Sequence, residues 1–178
     1  MNSKKFSCAI YLAAAVFLFQ AQFCSTQTSA AEYQILALNL INQARAQHHV
    51  NPLTLTDMLN QMATLCAQYY AEKGLIDHTC SYRTTVGAGE NLYMIPSVSR
   101  LPDQDVTESI KLWYNEVSKY NFNGDWDPNA GHFTQLVWAG SQTVGYGLGR
   151  ANGNTVGVAL FYPPGNVLTQ FKQNVFPA

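Results

Sequence analysis

The chain has 178 residues, of which 47% are hydrophobic and 12% charged, and its formal net charge at neutral pH is −1. A chain of this length fits one domain with a single sizeable core and gives no indication of a second. The near-neutral charge excludes the basic surface with which nucleic-acid-binding proteins neutralise phosphates.

The first thirty residues have the pattern of a secretory signal peptide. Lys4 and Lys5 precede an apolar run over 6–19, and small residues at positions −3 and −1 predict cleavage after Ala30. The alternative, an uncleaved membrane anchor, needs roughly 20 apolar residues, and this run is shorter. We therefore expect a secreted, extracellular domain over 31–178, with a net charge of −3 and no transmembrane anchor after cleavage.

Two cysteines, Cys66 and Cys80, remain after that cleavage, in a chain expected to enter an oxidising compartment. A disulfide between them is one interpretation. The other is that Cys66 is a free core cysteine, because it lies in an apolar helical row and spacing alone does not give the geometry of a bridge.

The first half of the mature chain has helical periodicity. Over 32–48 the apolar residues share one helix face. A second helix is predicted between Thr56, a suitable N-cap, and Gly74, where a helix would end. Its apolar stripe comprises Leu59, Met62, Ala63, Cys66, Ala67 and Tyr70.

A third helix is predicted from Asp105, because Glu108 three residues later would complete a capping box. Glu116 lies at the margin of its buried face, where a glutamate is either a surface charge or points into a cleft instead of solvent. That face comprises Val106, Ile110, Trp113, Tyr114 and Val117.

The last third of the chain is β-prone. The runs 143–148 and 155–161 flank an Asn-Gly turn signal at Asn152 and Gly153, which predicts a hairpin. Residues 91–95 form a further candidate strand, and 163–166 a rigid turn. Helices and antiparallel strands in one core predict an α+β layered domain.

Four histidines are candidates for chemistry. His48 and His49, adjacent at the end of the first helix, are interpreted as a solvated pair. His78 and His132 are more distinctive in combination with Glu90 and Glu116. Such a set can bind zinc or another divalent cation, with the carboxylates as ligands or as acceptors that fix the imidazole tautomer, or act as general acid and base.

The block over 131–141, with His132 and Trp138, is the most informative stretch of the sequence, and several other blocks accompany it in order. Together they resemble the CAP superfamily, which comprises cysteine-rich secretory proteins, antigen 5 and pathogenesis-related proteins, and most of all its short Golgi-associated type. The accompanying blocks are Asn42-Gln43-Ala44-Arg45, Pro52-Leu53, Gly89-Glu90-Asn91, 113–120, Gly145-Tyr146-Gly147 and 161–166.

The resemblance implies a three-layer α-β-α sandwich around a central, mainly antiparallel sheet. It also implies a cleft lined by two histidines and two glutamates, which match His78, Glu90, Glu116 and His132. The chain departs from the family at four positions. Ile41 replaces a usual histidine, Tyr146 and Ala159 replace a frequent cysteine pair, and Phe161 replaces a common tyrosine.

We expect a secreted binding or signalling module with an extracellular protein partner, a divalent cation in the cleft, or a sterol or other lipid ligand. The resemblance assigns lipid contact to the loop with Tyr120, Phe122 and Trp126, although these aromatic residues could instead close the core. One alternative is a hydrolase, protease-like or metal-assisted, but no Gly-x-Ser-x-Gly motif is present and Ser141 should be packed. Another makes the four residues a polar network that braces the fold.

Overall fold

A four-stranded sheet with helices on both faces organises the chain in the computed structural model, which describes residues 30–97 and 99–178. The order is β1-β3-β4-β2, with β1 parallel to β3 and the other neighbours antiparallel. The predicted three-layer α+β class is therefore confirmed. The predicted signal segment lies outside the described residues, except for Ala30. The strands are β1 (Thr54–Leu55), β2 (Gly89–Ile95), β3 (Thr143–Ala151) and β4 (Asn154–Tyr162).

Five helices occur in the described part of the chain. The first two predicted helices are confirmed, and the N-cap of the second is Thr56, whose hydroxyl accepts from the Leu59 N–H. Gly74 ends that helix in the left-handed conformation, at φ 69°. The helices are α1 (Ala30–Gln47), α2 (Asp57–Lys73), α3 (Ser81–Val86), α4 (Pro102–Asn115) and α5 (Gly131–Leu136), with 3-10 turns at Glu116–Lys119 and Phe171–Gln173.

The two faces of the sheet form two apolar clusters, because side chains alternate along a strand. On β4, Val156, Val158 and Leu160 pack against α2, whereas Ala159 and Phe161 pack against α1 and α4. Tyr146 of β3 is also on the α1 and α4 side, directly opposite Ala159. A disulfide between these strands would need cysteines at this directly opposed pair of positions. Here Tyr146 and Ala159 stand there instead.

The predicted start of the third helix is wrong. Helix α4 begins at Pro102, and the Gln104 side chain accepts from the Leu101 N–H at 3.1 Å, which is half of a capping box. Asp105 is fully buried and pairs with Arg100 and Arg150, at 3.0 and 2.9 Å. The capping pattern misleads because an acidic side chain near a helix start can be held by tertiary ion pairs instead of by the helix backbone.

The interpretation of His48 as a solvated residue is also wrong, although His49 is exposed. His48 is fully buried, its Nδ1 lies 2.6 Å from the Phe176 carbonyl, and its Nε2 lies 3.2 Å from the Tyr114 hydroxyl. Burial lowers its pKa, against the raising effect of the Phe176 carbonyl. The imidazole therefore anchors the C-terminal segment of the fold.

Cys66 of α2 forms a disulfide with Cys80, which directly precedes α3, with 5.5 Å between their Cα atoms. The bridge attaches the loop between these helices to the middle of α2. Both cysteines are fully buried. Over the described residues, no helix is both long and apolar enough to cross a membrane.

Candidate functional site

A cleft of about 240 Å³ opens where the loops after α2, α4 and β4 meet the start of α5 and the start of β2. His78, Glu90 and His132 line it, so the fold brings three of the four predicted residues to one surface. Glu116 lies behind His132 and reaches it by hydrogen bonding. The cleft is completed mainly by Trp126, Gly131 and Asn166.

Glu116 holds both the ring and the backbone of His132. Its Oε1 lies 2.7 Å from His132 Nδ1, and its Oε2 accepts from the N–H groups of His132 and Phe133, at 2.9 and 3.2 Å. These N–H groups belong to the first turn of α5, where a carboxylate satisfies otherwise unpaired donors. Trp113 stacks on the imidazole at 6.2 Å. Glu116 therefore reaches the cleft through His132 and does not itself line it.

Burial tends to raise the pKa of Glu116, but hydrogen bonds and charge from His132 and the two backbone N–H groups outweigh it and leave the pKa below 4.5. A lowered folded-state pKa means that the ionised carboxylate stabilises the fold above the unfolded pKa. That contribution is lost as the pH falls through the folded value.

We expect Glu116→Gln to lower the free energy of unfolding by about 2 kcal/mol at neutral pH, since it weakens charge-assisted hydrogen bonds. The difference from the wild type should shrink below about pH 4.5. Urea unfolding at a series of pH values measures it, with Glu72→Gln, an exposed carboxylate of α2, as the control. A difference that stays constant down to acid pH would contradict a role for the charge.

The second half of the cleft is His78 with Glu90. Glu90, the second residue of β2, is almost fully buried, with a side chain 1% exposed, and its Oε2 lies 2.8 Å from His78 Nδ1. The Tyr70 hydroxyl donates to the same carboxylate, and Arg83 Nε lies 3.8 Å from it. The His78 side chain itself is 55% exposed.

The two halves share one arrangement. A carboxylate accepts hydrogen bonds and donates none, so Nδ1 is the donor in both His78 and His132, and in the neutral ring Nε2 then keeps its lone pair. Neither Nε2 has a hydrogen-bond partner within residues 30–97 and 99–178. In the same residues no group of three or more His, Cys, Asp or Glu is arranged to hold a metal ion. The cleft thus offers two imidazole nitrogens, each oriented by its own glutamate.

The aromatic loop divides between core and cleft. Tyr120 is 7% exposed, and Phe122 is half-buried and packs with it against Phe133. Trp126, 45% exposed, lines the cleft and covers Gly131 so closely that a Cβ there would lie 2.9 Å from the indole. Of the three predicted lipid contacts, Trp126 is therefore the one at the cleft.

Two asparagines that are absent from the predicted set also position the site. Asn91 donates to the His132 carbonyl at 2.9 Å. Asn166 donates to the Gly131 carbonyl at 2.9 Å and accepts from the Thr134 hydroxyl at 2.7 Å. Each closes one of the motif blocks, 89–91 and 161–166, so their place in those blocks was the signal that could have identified them.

Ser141 is 2% exposed, and its hydroxyl donates to the Pro163 carbonyl at 2.8 Å. A serine packed in this way is not placed to attack a substrate in the cleft. None of the described residues that line the cleft is a serine, threonine or cysteine. Among the described residues, the geometry therefore gives the protease-like hypothesis no hydroxyl or thiol nucleophile in the cleft wall.

Comparisons with known proteins agree with the sequence motifs. The model of the CAP family, described as the cysteine-rich secretory protein family, matches residues 38–163. The human Golgi-associated plant pathogenesis-related protein 1 is 31% identical over 156 residues, which cover 85% of this chain and 97% of that protein. The basic form of pathogenesis-related protein 1 from Nicotiana tabacum is 32% identical, over 75% of this chain and 71% of its own length.

Solved structures share the fold at lower sequence identity. A crystal structure described as NaASP2 with Zn²⁺ matches with a TM-score of 0.65 and 17% identity, over 80% of this chain and 85% of that one. Na-ASP-1 matches with a TM-score of 0.63 over 81% of this chain and 42% of its own. At these identities the likeness extends to the architecture of the sheet and its helices.

Proposed function

This chain belongs to the cysteine-rich secretory protein (CAP) family, and we propose that it is a binding protein. Its cleft holds a divalent cation, with a preference for zinc. The single observation that carries the proposal is that His78 and His132 each hydrogen-bond to a glutamate through Nδ1, while Nε2 has no hydrogen-bond partner among the described residues. In metal sites a histidine commonly donates its second nitrogen to a carboxylate in this way.

The residues fit such an ion in part. Zinc binds imidazole nitrogen readily and usually takes four ligands. His78 and His132 would supply two of them through Nε2, while Glu90 and Glu116 orient the rings. The remaining positions would belong to water or to a ligand of the protein. A bound zinc would supply Lewis acidity and a positive charge in the cleft.

Isothermal titration of the metal-free protein with zinc chloride tests this proposal. We expect His78→Ala or His132→Ala to weaken binding at least tenfold and the double variant to abolish it. His49→Asn is the matched control, since that imidazole is exposed and lies outside the cleft, and asparagine tolerates its φ of 59°. Zinc binding that is absent from the wild type, or unchanged in the double variant, would end the proposal.

A lipid ligand is the second candidate, and the exposed indole of Trp126 beside the cleft supports it. Tyr120 and Phe122 contribute less to this hypothesis, because both pack against the core. A sterol would therefore have to bind through Trp126 and surfaces near it.

We also propose that the chain is exported and that residues 1–30 are removed. Residues 31–178 would then act outside the cell, where an extracellular protein partner would bind them. The disulfide between Cys66 and Cys80 supports an oxidising compartment. The Golgi association named for the human relative makes the secretory pathway itself an alternative destination.

A further inference from the structure

Helix α2 holds Cys80 by two independent contacts. Cys66 bonds to it through the disulfide, and the Tyr70 hydroxyl accepts from its backbone N–H at 3.0 Å. Cys66 and Tyr70 are four residues apart on α2 and so lie on one face of it. All three residues are fully buried. The backbone at Cys80 is therefore fixed against α2 both covalently and by hydrogen bonding.

The Tyr70 hydroxyl also bonds to a residue that lines the cleft. Its oxygen accepts from Cys80, and its single proton is donated to Glu90, whose Oε2 and Oε1 lie 3.2 and 3.4 Å away. Burial raises the pKa of Tyr70, and the neighbouring Glu90 carboxylate adds to the rise, so the hydroxyl keeps that proton. Tyr70 thus connects the Cys80 backbone to the carboxylate that orients His78.

His78 depends on this connection more than an ordinary loop residue would. His78 lies two residues before Cys80, and its φ is 61°. This left-handed conformation costs a non-glycine residue free energy, so it persists only where surrounding contacts offset that cost. In the described part of the chain, the hydrogen bond of its ring goes to Glu90. The side chain is more than half exposed, so packing contributes little to its orientation.

The other half of the cleft is built differently. Glu116 is held by two backbone N–H groups of α5, and Trp113 stacks on His132. None of these contacts involves Tyr70 or the disulfide. A change at Tyr70 should consequently act on His78 and leave His132 as it is.

We propose that Tyr70 is a positioning residue of the cleft, which together with the Cys66–Cys80 disulfide aligns Glu90 and so keeps His78 in the tautomer with a bare Nε2. The part of this inference that concerns metal affinity rests on the proposed function; the part that concerns the imidazole does not. Helix α2 contributes no residue to the walls of the cleft. Through Tyr70 it nevertheless controls one of the two imidazole nitrogens that are proposed to bind the metal.

Tyr70→Phe removes the hydroxyl and keeps the ring. In the metal-free protein, proton–nitrogen correlation spectra of the imidazoles at about pH 8 should show His78 mainly with Nδ1–H in the wild type. In the variant a large fraction of the His78 imidazoles should instead carry the proton on Nε2, while the spectrum of His132 stays unchanged. The matched control is Tyr146→Phe, which loses a fully buried hydroxyl bonded to Ser109 on the other side of the sheet.

Zinc titration gives the second readout. Tyr70→Phe should weaken zinc binding about tenfold, the effect typical of removing a group that orients a metal-binding histidine. Tyr146→Phe should leave the affinity within about twofold. In a His78→Ala background the Tyr70 substitution should have no further effect, because its influence acts through that imidazole.

An unchanged tautomer of His78 in Tyr70→Phe overturns the proposal, and so does an equal shift in the Tyr146→Phe control. If the tautomer shifts as expected but the wild type binds no zinc, the positioning role stands and the metal-binding function fails. Loss of zinc affinity with both histidines altered would instead mean that Tyr70 only stabilises the fold.

Discussion

Replacing Gly147 with alanine should prevent this chain from folding. Gly147 lies on the face of β3 against which α2 packs, and a Cβ at this position would overlap the backbone of Ala63 and Thr64. Backbone atoms cannot move aside as the end of a flexible side chain can. Relief would require α2 to separate from the sheet and the cluster around Val158 to open.

We expect the loss to be about 5 kcal/mol or more, which is comparable with the total stability of many domains of this size. The measurement is soluble yield, followed by thermal unfolding of whatever folds. Gly74→Ala is the control, because that position has φ of 69° but no atom within 4 Å of the added Cβ. It should cost about 1 kcal/mol through backbone strain alone. A Gly147→Ala protein that melts near the wild type would contradict the close packing of α2 on β3.

Replacing Arg45 with methionine should also destabilise the fold strongly, although less than the change at Gly147. The guanidinium is fully buried and donates to four backbone carbonyls, three of which belong to the block over 131–141 that carries His132. Burial lowers its pKa to about 10, which still leaves it charged at neutral pH. The accepting residues, with their distances, are Asn51 at 2.8 Å, Leu136 at 3.1 Å, Trp138 at 2.9 Å and Ser141 at 3.3 Å.

Methionine keeps most of the apolar stem but leaves all four carbonyls without their donor, so we expect a loss of about 4 kcal/mol. Arg45→Lys should lose about half as much, since an ammonium group retains the charge but not the planar set of donors. Denaturant unfolding followed by tryptophan fluorescence measures both. A methionine variant within 1 kcal/mol of the wild type would show that the carbonyls find other partners.

Much of the fold is predictable because helices and strands are encoded by local periodicity. The apolar face of α2 from Leu59 to Tyr70, and the hairpin around Asn152 and Gly153, follow from spacings of 3.6 and 2 residues and from one turn signal. The order of the motif blocks then indicates the family. The two-residue strand β1 and the six-residue helix α3 escape prediction, since elements so short show no period.

Buried polar residues are the weakest part of the prediction. Local patterns place His48 in solvent and Asp105 at a helix cap, and both are buried among partners from other elements. Arg45 stands out in the sequence only as part of a motif. A charged or polar side chain is buried when other groups satisfy it, and most of those groups are separated from it by tens of residues along the chain.

The sequence predicted the set His78, Glu90, Glu116 and His132 through its resemblance to the family, and all but His78 lie in one of the motif blocks. Only the tertiary structure decided how they combine: His78 with Glu90, His132 with Glu116, and both through Nδ1. The physical reason is that a block fixes local backbone geometry, whereas the pairing depends on where β2, α4 and α5 come to lie once the sheet and helices have packed.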